Sequence, residues 1–163
     1  MAIEYDLDIA TRSPASEVAS RLAEIGRDSG VFDESITGAP LTEKGVFAYT
    51  RRGTCVTVIQ QRQPRPWDPI VTKFGFTPTV GVGFRMGRGT DTSNQQDDMI
   101  RLMTPLLDRV EGDAVLHYQF EVIWLLRKNG DLSLDERDDL WRPERLALVT
   151  RPCRRETHTM DTD

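Results

Sequence analysis

Two histidines, two cysteines and a few clusters of carboxylates and glycines are the groups in this 163-residue sequence that could do chemistry. His117 stands between Leu116 and Tyr118 in a run that reads as a strand. A general base needs a tuned pKa and an orienting partner, and no serine or cysteine nucleophile motif accompanies it. His117 therefore reads as a structural or surface side chain, and His158 as a tail residue that no element holds. Cys55 reads as a buried strand residue and Cys153 as a tail residue. Two lone cysteines form neither a disulfide framework nor a zinc spacing. Gln95-Gln96-Asp97-Asp98 opens a predicted helix, where acidic groups favour the helix dipole and cap free N–H groups; a metal would need convergent oxygens from elsewhere. Gly81, Gly83, Gly87 and Gly89 match neither the dinucleotide fingerprint nor a P-loop. The sequence thus assigns no catalytic, metal-ligating or cofactor-binding residue, and points to a chain that needs no metal, nucleotide or organic cofactor to fold.

The densest charge is acidic. Asp131, Asp135, Glu136, Asp138 and Asp139 crowd one segment, broken by Arg137 and followed by Trp141. Such a run is a solvated face or a docking patch, where carboxylates steer a basic partner and an aromatic anchors it. These residues, with Trp67 in a proline-rich loop, are the candidate contact set; Trp141 suits a core equally well. Trp124, alternating with Val122 and Leu126, reads as core.

The elements that would position these groups follow from periodicity. Ile3, Tyr5, Leu7 and Ile9 alternate with Glu4, Asp6 and Asp8, which predicts a strand with one dry and one wet face. Ser13-Pro14 starts a helix carrying Val18, Leu22 and Ile25, with Gly26 or Gly30 at its end. Residues 31–45 have no clear period beyond one short strand near Ile36. Residues 45–50 and 54–59 read as a hairpin, 60–69 as a loop, and 79–86 as a strand whose Gly81 and Gly83 permit close packing. Asp91 to Asn94 offer caps for a helix bearing Met99, Leu102, Met103, Leu106, Leu107 and Val110, with a kink or break expected near Arg101 because of Pro105. Strands at 114–118 and 121–127 follow, and Asn129-Gly130 turns the chain into 131–135. A short turn or helix lies at 143–146.

One-sided strands and amphipathic helices predict an α+β fold: an antiparallel-rich sheet with both helices on one face and the acidic strand face left wet. The strand–helix–strands order occurs twice, as in a pseudo-duplicated unit. Residues 1–150 read as one domain and 151–163 as a polar tail. The formal net charge of −5 disfavours a phosphate-binding surface and suits one that receives a basic protein. The N-terminal residues lack a signal-peptide pattern and no apolar run spans a bilayer, so the expected location is the cytoplasm, with no membrane contact. The oligomeric state is left open.

Several segments carry a resemblance: Met1 to Leu7, Phe74-Gly75-Phe76-Thr77-Pro78-Thr79-Val80, Phe84-Arg85-Met86, Gln95 to Met99, Gly112 to His117, Trp124-Leu125-Leu126, and Arg137 to Leu146. In order and spacing the chain resembles the bacterial family named after the immunity protein of myxobacterial swarming-inhibition toxins, common in actinobacteria. One departure is Gly87-Arg88, where relatives tend to carry an Asp-Lys pair. The resemblance implies a non-enzymatic protein that binds and neutralises a cognate toxin encoded nearby, without direct nucleic-acid binding. The competing readings are a small hydrolase-like enzyme and a structural or regulatory interaction domain.

Overall fold

The computed structural model of the chain describes residues 3–42 and 48–160. It is an α+β protein built on one eight-stranded sheet: β1 (Glu4–Ala10), β2 (Ala48–Tyr49), β3 (Cys55–Gln60), β4 (Val80–Arg85), β5 (Asp113–Tyr118), β6 (Val122–Lys128), β7 (Asp131–Leu134) and β8 (Arg154–Arg155). The spatial order is β2-β3-β4-β1-β5-β6-β7-β8, antiparallel throughout except for the parallel β7–β8 edge. Helices α1 (Ala15–Ser29) and α3 (Thr92–Arg109) are the two long ones; α2 (Gly38–Thr42), α4 (Pro143–Leu146) and a π-helical turn (Ile70–Phe74) are short. The first half of the expected hairpin, from Gly45 to Phe47, lies outside the described residues.

The period of two in β1 determines which side carries the core. Tyr5, Leu7 and Ile9 face the helices, in register with Phe84, Val82 and Val80 of β4 and with Tyr118, Leu116 and Ala114 of β5. Val18, Leu22 and Ile25 of α1 and Leu102, Leu106 and Leu107 of α3 close over them in one continuous cluster. Each fully buried Leu, Val or Ile contributes about 1.5–3 kcal/mol relative to exposure. The other face is not uniformly wet, contrary to the expectation. A second cluster of Ile70, Phe76, Val115, Ile123, Leu126 and Met160 covers it over β5 and β6. Those strands are apolar on consecutive residues, Val115-Leu116 and Ile123 to Leu126, the pattern of strands buried on both sides. The cover comes from the 60–79 connection and from the segment after β8. Only the β2-β3-β4-β1 half of that face remains open.

Further local differences have physical causes. Helix α1 is not capped by Ser13: its N-cap is Pro14, and the Gln60 side chain accepts the Ala15 N–H (2.8 Å) while donating to the Thr79 carbonyl. The segment around Ile36 forms no strand; α2 follows it. Helix α3 runs unbroken through Pro105, since Met99, Leu102, Met103 and Leu106 are all sunk in the core and hold the element together. Its cap is Asp91, which accepts the Ser93 N–H at 2.7 Å. Gly112 (φ +113°) passes so close to β1 that any Cβ there would run into the Ala10 carbonyl oxygen.

Helix α3 is held at both ends by buried arginines. At its start Arg145, 1% exposed, donates to Asp97 (2.6 Å), Ser93, Gln96 and the Leu140 carbonyl (2.9 Å), and its guanidinium lies 5.6 Å from the Trp124 ring centre. At its end Arg127 from β6 donates to the carbonyls of Leu107 (2.6 Å), Val110 (2.7 Å) and Gly112 (2.7 Å), taking up acceptors that a helix C-terminus leaves free.

Replacing Arg145 by Ala should therefore lower the unfolding free energy by about 3 kcal/mol or more, because Asp97 and two carbonyls lose their donor in the interior. Arg145→Lys should not rescue it, since a point charge cannot serve that planar set. Urea denaturation monitored by tryptophan fluorescence checks both; a loss below about 1 kcal/mol would contradict this account.

Candidate functional site

The acidic segment divides when folded. Glu136, Asp138 and Asp139 are exposed, but Asp135 is buried at 1% exposure and Trp141 likewise. Trp141 donates its indole N–H to the Trp124 carbonyl (2.7 Å), and the two rings pack edge to face. Neither residue can meet a partner directly, which corrects their place in the contact set. Asp135 sits under Arg137, which donates to it from backbone and side chain, both at 2.9 Å. Burial acts to raise the Asp135 carboxyl, but those hydrogen bonds outweigh it and hold the group below the usual carboxylate range. Asp131 is exposed and paired with Arg154 (2.7 Å), and Arg155 stands 3.8 Å from Asp138. Both arginines come from β8, which the sequence reading left as tail. Their arrival removes much of the negative field expected of the run. Trp67 is 68% exposed in its loop, beside the Arg65 guanidinium at 5.7 Å.

The tail itself is held. His158 lies 2.9 Å from the Ser133 hydroxyl and packs edge to face against Phe74, and Met160 is buried. Burial lowers the His158 value, with Arg154 adding to the effect.

His117 is fully buried and structural. Its Nδ1 accepts the Phe120 N–H (3.1 Å), which places the ring proton on Nε2, 2.9 Å from Asp8 Oδ2. The other Asp8 oxygen accepts from the Gln61 side chain. Phe120 stacks on the imidazole at 4.4 Å between centres. Both ring nitrogens are thus occupied, and no hydroxyl or thiol nucleophile joins the pair.

Gln95 to Asp98 are a junction rather than caps. Gln95 is fully buried and satisfied: Oε1 accepts from Thr54 (2.7 Å) and the Gly87 N–H (2.8 Å), while Nε2 donates to the Gly87 and Thr90 carbonyls. Gln96 donates to the Tyr5 hydroxyl (2.7 Å), Asp97 holds Arg145, and Asp98 holds Arg101 (3.0 Å) with Arg52 at 3.6 Å. Four consecutive side chains therefore reach four different parts of the fold.

Two concavities stand out among the described residues. One of about 660 Å³ lies between the end of α3, the β5–β6 ends and residues 149–152. Most of its charged groups are already engaged: Arg127 with carbonyls, Arg151 with Asp108 (2.6 Å), and Asp113 with Lys128 (3.2 Å). The second, about 610 Å³, borders Tyr49, Cys55, Arg85 and Gly87 at one end of the open sheet face. Cys55 belongs to that face and is only half-buried, not enclosed as expected for a core residue.

Register defines the open face. One row runs Tyr49, Cys55, Arg85, Glu4; the next Thr57, Gly83, Asp6, His117; the third Ile59, Gly81, Asp8, Val115. The close packing expected at the glycines is present: a Cβ on Gly81 would meet Gln61 at 2.7 Å and one on Gly83 would meet Thr57 at 2.9 Å. Tyr49, Ile59 and Phe120 stand exposed around the middle row. Arg85 pairs with Glu4 at 3.6 Å and His117 with Asp8, but among the described residues no hydrogen bond or ion pair reaches the Asp6 carboxylate. The sequence reading missed this face because its apolar members come from three separate strands and turns, and only pairing brings them together.

A family model described as SitI3-like matches residues 3–145. Neither a curated protein nor a solved structure matches the chain. Among the described residues there is no group of His, Cys, Asp or Glu that could hold a metal ion, and no helix is long and apolar enough to cross a membrane.

Desolvation raises the Asp6 carboxyl, with Glu4 and Asp8 adding to the effect and His117 opposing it. A carboxyl raised in the fold binds its proton more tightly folded than unfolded, so its contribution to stability falls as pH rises from the ordinary carboxylate range through the raised value. Asp6→Asn should then melt higher than the natural protein at pH 7, with the difference shrinking as pH falls through that window. Calorimetric melting at a series of pH values checks it; an equal or lower melting temperature at pH 7 would show that the Asp6 charge is stabilised in the fold.

Proposed function

The chain belongs to the SitI3-like family of immunity proteins, whose members act by binding a toxin rather than by chemistry, and we propose that it neutralises one cognate toxin, encoded nearby, in the cytoplasm of the cell that makes it. The observation that carries this reading is the family match, which takes in both long helices and the first seven strands. The geometry supports it, since the buried polar clusters around His117, Gln95, Arg127 and Arg145 are consumed in holding the scaffold together. Protection then comes from covering the toxin. Of the acidic segment, Asp131, Glu136, Asp138 and Asp139 keep exposed carboxylates that can steer a basic partner, and Trp67 is an accessible aromatic for the contact rim. Asp135 and Trp141 serve this surface only from beneath.

Co-expression of the chain with the adjacent toxin gene should restore survival and yield a complex that co-purifies. Reversing Glu136, Asp138 and Asp139 to Lys should slow association about tenfold at low salt with little change near 0.5 M salt, because steering is screened over a Debye length. Stopped-flow association rates check it. Survival without a complex would reject neutralisation by binding, and a salt-independent rate would reject the acidic surface alone.

A further inference from the structure

We infer that the toxin docks on the open half of the sheet, and that this face receives a basic side chain of the toxin at Asp6, framed by Tyr49, Ile59 and Phe120. The inference rests on the toxin-binding reading above and says which face and which chemistry serve it.

One carboxylate on this face is left without a partner among the described residues. Three carboxylates of β1, Glu4, Asp6 and Asp8, point to the same side. Arg85 answers Glu4 and His117 answers Asp8, while Asp6 between them has no partner among the described residues. Its neighbours in the row are Gly83, which brings no side chain to the carboxylate, and Thr57, whose hydroxyl lies over that glycine, so no counter-charge stands beside Asp6 among the described residues. A half-buried, unanswered carboxylate on an open sheet face is complementary to a guanidinium or ammonium group, and an arginine could pair with it while lying against an aromatic ring.

The apolar frame points the same way. Tyr49 and Ile59 are more than half exposed, and Phe120 is 44% exposed. Phe120 is held there against local preference. Gln119 (φ +49°) and Phe120 (φ +59°) are consecutive left-handed residues in the β5–β6 turn. The β6–β7 turn of the same sheet solves that problem with Asn129-Gly130, the ordinary residues for it. A bulky side chain in this region costs about 1 kcal/mol or more. The turn is kept in place by the Phe120 N–H on His117, the Glu121 N–H on the Tyr118 carbonyl (2.8 Å) and the ring stack on the imidazole. Buried Asp8 and His117 thus brace an exposed aromatic beside the row that carries Asp6. Exposed aromatic anchors around a central charge are the composition of a binding hot spot.

The test is calorimetric titration with the purified toxin domain encoded beside the chain, using the natural protein and the variants Asp6→Asn, Asp6→Lys, Ile59→Lys, Phe120→Gly and Glu34→Lys, with a melting curve for each. Asp6→Asn is expected to bind at least tenfold more weakly while melting higher at pH 7, a pairing that a purely structural role would not produce. Ile59→Lys, an exposed position that leaves the core intact, should weaken binding at least a hundredfold. Phe120→Gly removes the ring and suits the backbone, and should weaken binding about tenfold. Glu34→Lys, exposed beyond the end of α1, should bind within threefold of the natural protein. Tight binding by the natural protein with unchanged affinity in the Asp6, Ile59 and Phe120 variants would overturn this face and leave toxin binding standing. A Phe120→Gly variant that loses stability but not affinity would reduce that ring to a cover for His117. No binding by the natural protein would remove both readings.

Discussion

Two guanidinium groups buried at its ends fix how helix α3, already held by its apolar stripe, lies across the sheet. Arg127 supplies donors to the C-terminal carbonyls, where a positive charge is favoured by the helix dipole. Arg145 sits at the N-terminal end, where the dipole opposes it, and Asp97 supplies the negative charge that makes this tolerable. Both arginines come from the second half of the chain. The helix therefore cannot settle until β6 and α4 are in place, and those elements are positioned in turn by Trp124 and Trp141 packing beneath Arg145.

The runs Gln95 to Met99 and Arg137 to Leu146 meet in space: Gln96 and Asp97 hold Arg145, Asp97 stands 3.4 Å from Arg142, and Trp141 fills the core below. Those two runs hold the scaffold, while the proposed docking face is the open sheet half, carried by β2, β3, β4 and β1, with the helices on the opposite side.

Much of the fold was legible in the chain. The alternation in β1, the stripes of α1 and α3, and the Asn129-Gly130 turn translated into their elements because each is local. What escaped reading was what depends on distant partners. Gln60 replaces Ser13 at the start of α1 from 45 residues away. Arg154 and Arg155 neutralise an acidic run some twenty residues earlier, so counting charges along the segment overstated its field. Asp135 and Trp141 looked like surface chemistry by type, and burial removed them. The continuous apolar runs of β5 and β6 did signal cover on both faces, although nothing local named the segments that supply it. Asp6 and Phe120 carried no motif at all; their meaning comes from a strand register and a pair of backbone angles.

The position of β1 has a kinetic consequence. It is the first strand in the chain, yet it occupies the middle of the sheet, between β4 and β5. Its hydrogen-bonding partners follow it by roughly 75 and 110 residues, so each pairing must close a long loop before any ladder energy is gained. The β3–β4 pair on one side and the β5–β6–β7 meander on the other can form early from shorter-range contacts. Until β5 pairs with it, β1 has an unpaired edge, the kind of surface that invites association between chains. Long-range closure at β1 thus paces folding, and β1 acts as the seam along which the two halves of the sheet are joined.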